Sequence, residues 1–444
     1  MLFRSLSAAV ELLNTLPDTP ERAQHELVLQ TLLGPALMAT RGYAAPEVGK
    51  AYTRALELCR QVGETPQLFP ALFGLRQLYI LRAEFQTAYE LGEQLLNLAD
   101  RVQDPALLLE AHRAVGEALL CMGELSPALK HLEQSRALYD PQKHHSHAFL
   151  YGFDPGVACA SFAAIALWHL GYPDQALKRV QEALTLAGDL SHPFSLAFAL
   201  NFTTMIYQNR REGPLGQERA EAAIALSREQ GFLFYEAFNT WSRGVTLAEQ
   251  GQTAEGIAQM RQGIIAFRAT GAEWGRAYQP GPLAEAYGKV GQVEEGLQVL
   301  SEALAAADKN GERWYEAELY RLKGTLTLEA RGWRLETGSP SSQAPSLKPQ
   351  VPREVEEEAE EYFLKAIAVA RQQQAKSLEL RAVISLVRLR QQQAVQSESR
   401  TTEHASRTRL AEAHTMLSDV YNWFTEGFET KDLQEAKALL EGLN

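Results

Sequence analysis

The sequence predicts an all-α solenoid of stacked helical hairpins, and three observations carry that prediction. Small residues stand at Ala55, Ser135, Ala183, Ala223, Gly263 and Ala303, with Leu95 in the remaining slot, in steps of 40, 40, 48, 40, 40 and 40. Three further series keep the same phase: Phe194, Phe234, Trp274, Trp314; Gly231, Gly271, Gly311; and Ala197, Ala237, Ala277, Ala317. Each forty-residue unit also carries two stretches of helical periodicity. A repeat of this length is one supersecondary unit that buries its apolar face only by stacking on its neighbours. The constant step leaves no room for an independent catalytic domain between residues 55 and 303.

Taken in order, a lone helix near 5–16 reads as the second half of a hairpin. Hairpins follow near 20–62, 66–102, 105–140, 155–190, 193–231, 234–271, 274–311 and 314–372. A less regular pair spans 376–424, and a short helix 431–442 closes the chain. Residues 106–140 show why. Leu108, Leu109, Val115, Leu119 and Leu120 form a helical stripe, and Gly123 ends it, as glycine does at a helix C-terminus. Ser126 and Pro127 suit the start of the second helix. Gly116 precedes Ala128 by twelve residues, and Gly244 precedes Gly256 by the same distance. With no Cβ between them, two helices approach closely at such points.

Two insertions interrupt the phase. The first adds eight residues around DPQKHHSHAFLYGFDPG, between Ser135 and Ala183. His144, His145 and His147 fall here. Their H-H-x-H spacing has no helical period and no cysteine nearby, so a solvated loop is expected rather than a metal site. The second adds twenty-three residues between Ala303 and Ala366. It is rich in Ser and Pro and predicts a disordered segment over 331–353, between repeats in 1–330 and terminal repeats with capping helices in 354–444. The acidic run from Glu354 then suits a helix N-terminus. Pro280 and Pro282 fall where the register requires a helix, which predicts a kink or a delayed start at Pro282.

Composition excludes several function classes. The formal net charge of −12 gives no basic face for nucleic acid. Cys59, Cys121 and Cys159 are too few and too scattered for a disulfide frame or zinc site, and read as buried free thiols of a reducing compartment. No run approaches the roughly 20 apolar residues of a membrane span. A cytoplasmic location is expected. Gly49-Lys50 is followed by Ala51, so no phosphate loop forms, and GxSxG, HExxH and CxxC are absent. No catalytic residue, cofactor or metal is expected.

The pattern small-x7-small-x3-large-x2-small resembles the tetratricopeptide repeat over nearly the whole chain. That resemblance implies a right-handed superhelix whose first helices line a concave face. Matching inward positions are Arg113, Glu117, Phe198, Asn201, Phe238, Trp241, Tyr278, Glu285 and Arg321. Phe198, Phe238 and Tyr278 form one row and Asn201 and Trp241 a second; these rows either line a groove or fill the core between repeats. Arg113 is followed by Glu117 where the family's carboxylate clamp needs an amide.

More specific stretches, LLNTLPDTPERAQHELVLQTLLGPALMATRGYAAPEV (12–48), YEAELYRLKGTLTLEA (315–330) and LSDVYNWFTEGFETKDLQEAKALL (417–440), resemble the C-terminal repeat region of bacterial AAA-like (STAND) signalling ATPases, often fused to class III adenylate or guanylate cyclase domains. The resemblance implies a non-catalytic sensor array with a protein or peptide partner, such as an ATPase or cyclase module in cis or in trans. The start halfway through a hairpin suggests that the register continues into something larger. Alternatives are the ligand-sensing array of a transcription activator and a helical-toroid enzyme. Trp423, Phe424 and Phe428 would cap the last repeat or dock another chain.

Overall fold

The computed structural model describes residues 2–42, 44–63, 65–332, 352–396 and 400–442. Among them are twenty-two helices and no strand. Helix α1 (Leu2–Leu13) stands alone. Hairpins follow as α2 and α3 (Pro20–Arg41, Pro46–Val62), α4 and α5 (Leu68–Leu81, Phe85–Val102), and α6 and α7 (Pro105–Cys121, Leu125–Leu138). Two short helices, α8 (Pro141–His144) and α9 (His147–Tyr151), precede α10 and α11 (Pro155–His169, Pro173–Asp189). The array continues with α12 and α13 (Pro193–Asn209, Gly213–Gln230), α14 and α15 (Leu233–Glu249, Thr253–Ala269), and α16 and α17 (Pro280–Lys289, Val293–Asn310). Last come α18 and α19 (Glu316–Glu329, Arg353–Gln372), α20 and α21 (Lys376–Gln396, Arg400–Trp423), and α22 (Lys431–Gly442). The fold is an all-α, tetratricopeptide-like helical-hairpin solenoid.

The two helices of a hairpin differ in burial. Every residue of α10 is buried, and nearly every residue of α12. Their partners α11 and α13 bury one face only. The first helix is therefore enclosed on all sides and the second covers it. Proline at the first turn of α2, α3, α6, α10, α11 and α12 starts these helices where its missing N–H costs nothing. The forty-residue small series lies buried on the second helices, and Ser135 and Gly263 meet the first helix of their own hairpin, at the Leu109 carbonyl and at Trp241. At Gly263 an added Cβ would stand 2.4 Å from the Trp241 amide nitrogen, and at Gly244 one would stand 2.6 Å from the Gly256 carbonyl. Those positions admit no side chain because backbone meets backbone.

The solenoid also packs turn on turn. Glu273 and Trp274 donate their amides to the Leu81 carbonyl, and Arg313 donates to Cys121. Glu273 follows Leu81 by 192 residues and Arg313 follows Cys121 by the same 192, so the contact between turns keeps the repeat register. After both insertions the contact continues, with Ser377 Oγ donating to the Trp168 carbonyl at 2.5 Å. Gln373 Nε2 donates to the Arg313 carbonyl, and Ser126 Oγ to Gln374.

The structure refines three expectations. The first helix of its hairpin starts late, at Pro280 rather than Pro282. Residues just before it form turns, and the amides this frees find other partners. Gly275 and Ala277 donate to the buried Glu312 carboxylate at 3.0 and 3.2 Å. The first insertion is folded rather than a solvated loop. His144 is buried and accepts the Asp140 amide at 3.0 Å, while His147 Nδ1 lies 2.9 Å from Glu110. The three cysteines are free and buried. Residues 333–351 of the Ser/Pro-rich insertion lie outside the described residues. No described helix is long and apolar enough to cross a membrane.

Candidate functional site

The nine inward residues separate into a packed group and an open group. Arg113 is fully buried, with its guanidinium 4.6 Å from the Phe73 ring centroid, 4.9 Å from that of Phe153, and paired with Glu110. Glu117 is buried against Arg76 and Gln77. Phe198 stacks between Phe153 and Phe202 at 4.5 and 4.6 Å. Phe238 packs on Trp241, Phe267 and Trp274. Tyr278 lies 5.1 Å from Trp241 and 4.7 Å from Trp314. Asn201 Oδ1 accepts from Asn239 Nδ2 at 3.2 Å, and Trp241 Nε1 donates to the Gln279 carbonyl at 3.1 Å. These side chains are buried and joined through other rings, Phe198 to Tyr235 and Phe238 through Trp241 to Tyr278. The neighbouring turn reaches the same ring cluster, with His169 of α10 edge-on 5.4 Å from Trp314, which packs on Tyr278.

Glu285 and Arg321 belong to a different surface. The Glu285 side chain is 46 % exposed and pairs with Lys289, itself 41 % exposed, at 3.3 Å. Arg321 holds Glu318 through two nitrogens, at 2.9 and 2.7 Å. Around them converge groups from the ends of several helices: Arg211 after α12, Glu249 at the end of α14, Arg381 and Arg388 on α20, and Asp432 and Glu435 on α22. Enclosure by these helices raises the Glu249 carboxyl first, and the negative charge of Glu285 adds to it, bringing it to about 7. Enclosure would raise Glu285 as well, but Lys289, Arg321 and Arg211 outweigh it and hold that carboxyl at about 2. Burial lowers the Arg388 guanidinium, and Arg211 and Arg321 lower it further. The cleft thus holds cations close enough to disfavour one another, with water-reached carboxylates on its other side.

Sequence reasoning singled out Glu285 and Arg321 and missed the rest of the cleft. A signal for part of it was present. Asn209, Glu249 and Lys289 stand forty apart and end successive first helices. The contribution of α20 and α22 carries no such signal, because both follow the long insertion. Among the described residues no group of three or more histidines, cysteines and carboxylates is placed to hold a metal ion. The arrangement can bind charged groups through several simultaneous ion pairs; nothing in it supplies a nucleophile beside a base.

No protein-family model matches this sequence. An uncharacterized protein of Rhizobium meliloti (strain 1021) is 21% identical over 332 residues, 73% of this chain, and the chain spans 32% of that relative's length. Among solved structures, a Rap protein complexed with Competence and Sporulation Factor superposes with a TM-score of 0.55 at 11% identity, over 89% of this chain and 99% of that one. The apo quorum sensor NprR from B. thuringiensis gives 0.48 at 12% identity, over 91% and 99%. A STAND protein with a tetratricopeptide repeat sensor, from Pyrococcus horikoshii, gives 0.40 at 13% identity, over 89% and 55%. The likeness to the Rap structure is one of fold.

Proposed function

We propose that this chain is a non-catalytic sensing array that takes a protein or peptide partner at the charged cleft. In this reading it serves as the regulatory repeat region of a cytoplasmic bacterial signalling ATPase or adenylate cyclase. One observation carries the reading. The aromatic inward positions of the first helices are buried, whereas Arg211 just past α12, Glu249 at the end of α14, Glu285 and Lys289 on α16 and, less openly, Arg321 on α18 stay within reach of solvent. Charged groups enclosed by helices yet open to water are what a polar partner needs for orientation and specificity.

Two comparisons support this. The Rap protein of similar fold was solved with Competence and Sporulation Factor bound, and the Rhizobium meliloti relative is about three times as long as the matched region. Binding is tested with a separately expressed ATPase or cyclase module, titrated against the wild type and the charge reversals Glu285→Lys and Lys289→Glu, both at side chains more than 40 % exposed. The expected result is at least tenfold weaker binding in both variants, with each melting within a few degrees of wild type. Equal binding in all three proteins, or ATP turnover by the isolated chain, overturns the reading.

A further inference from the structure

The last helix, α22, lies against the basic side of the cleft and answers it charge for charge. Asp432 and Glu435 sit three residues apart, so they share one face of the helix. Arg211 reaches both, with Nε 3.2 Å from Asp432 Oδ1 and Nη1 3.1 Å from Glu435 Oε1. Arg381 Nε donates to Asp432 Oδ2 at 2.7 Å, and the same side chain donates to the Asn209 carbonyl and lies over the Trp168 ring. Arg388 donates to Glu435 Oε2 at 3.4 Å, and its buried Nε has no partner. Two carboxylates one helical turn apart therefore meet three guanidinium groups, supplied by the α12–α13 turn and by α20.

The apolar hold on α22 is one narrow stripe. Its backbone packs chiefly on α20 and α21; beyond Asp432 it buries Leu433 and Ala436, and Leu439 and Leu440 lie half-buried on the same core. The connection before it is anchored separately. Trp423 packs on Tyr172 at 5.3 Å, and the Glu426 carboxylate accepts the Asp174 and Gln175 amides at 2.9 Å each. Release of α22 would leave this anchor in place and keep the helix tethered beside the arginines.

Resting on the reading of the cleft as the binding face, we propose that Arg211, Arg381 and Arg388 form a receptor surface for an acidic helix bearing carboxylates at i and i+3, and that α22 is its occupant within the chain, displaced when such a segment of a partner docks. Several guanidinium–carboxylate pairs give this surface its preference, since each guanidinium offers a fixed fork of donors. Tethering gives α22 a high local concentration, so a free segment competes only when it makes more contacts or when α22 is weakened.

The test uses the full chain and a fluorescein-labelled synthetic peptide of residues 430–442, followed by anisotropy. The chain variant Asp432→Lys/Glu435→Lys repels the arginines and frees them. It should bind the peptide at least tenfold more tightly than wild type, and this binding should weaken between 50 and 300 mM salt. The single variant Glu435→Gln, a milder change, should gain about threefold. Adding Arg211→Ala to the double variant, or replacing Asp432 and Glu435 of the peptide by their amides, should abolish binding. Hydrogen exchange over 431–442 reports whether the helix is released. Released α22 without gain in peptide binding overturns the proposal, and so does α22 protected as in wild type. Neither result depends on the ATPase or cyclase module, so failure here is separable from failure of the functional reading.

Discussion

Two stretches of the same first helices behave oppositely. Their N-terminal and central parts carry Phe198, Phe238 and Trp241, buried among further rings, with Trp241 packed on Tyr278 of the turns before α16 in the next repeat. Their C-terminal ends carry Glu249 and Lys289, which with Arg211, just past α12, meet solvent and one another's charge. Glu249 and Lys289 obey the forty-residue register as Phe198 and Phe238 do. Register alone therefore does not distinguish packing from recognition; side-chain chemistry does. An aromatic repeated every forty residues gains by burial against its equivalent in the next hairpin. A charge so repeated cannot be buried without a partner, and it leaves a cleft open.

The largest way to break this comparison is to empty the packed stretch. Trp241 is fully buried and lies over the Gly263 backbone. Trp241→Ala should lose about 3–5 kcal/mol of stability, the usual range for an aromatic truncated in a core, read from the urea midpoint. A loss under about 1 kcal/mol would mean that the rows are loosely packed and open to a ligand after all.

That packing was only partly legible in the sequence. Helix positions came from local signals. Amphipathic spacing alone placed α22 at 431–442, where it stands. The contact between turns was hidden, since Leu81 and Glu273 are joined through backbone groups that carry no residue-specific mark. Without it, the rows of Phe198 and Trp241 read equally as groove or core. His144 and His147 were misread because their partners, Asp140 and Glu110, lie in and before the insertion and share no period with it. The accessible cleft needed α20 and α22, which a phase break of twenty-three residues separates from the register.

A smaller effect sharpens the comparison through pH. Glu312 is fully buried beneath the late start of α16, and burial raises its carboxyl to about 7 despite the amides it accepts. Unfolded, a glutamate releases its proton near the ordinary value of 4.5. Between those two values the folded chain binds the extra proton, so stability falls as pH rises from 4.5 to 7 and levels off above. The interval from 4.5 to about 7 corresponds to about 3 kcal/mol. Glu285 in the open stretch has the opposite sign. Held at about 2, it contributes stability that is present above 4.5 and lost as pH falls toward 2. Glu312→Gln should flatten the slope between pH 4.5 and 7 in urea melts, and an unchanged slope would assign that titration elsewhere.

The smallest effect is the most discriminating. Lys289 occupies the same register as Asn209 and Glu249, yet its ion pair with Glu285 is an exposed i, i+4 contact at 3.3 Å. Such pairs are worth roughly 0.3–0.5 kcal/mol, because water screens both charges and holding two long side chains together costs entropy. Lys289→Ala should therefore change the urea midpoint by less than the equivalent of about 0.5 kcal/mol. It should also let the Glu285 carboxyl rise by the few tenths that about 0.5 kcal/mol allows, with Arg321 and Arg211 still holding it far below its ordinary value. Carboxyl chemical shifts followed from pH 2 to 6 would show this. A stability loss near that of Trp241→Ala would mean that the helix ends are load-carrying parts of the stack. A small loss with a displaced Glu285 titration would show that these positions are kept for their charge.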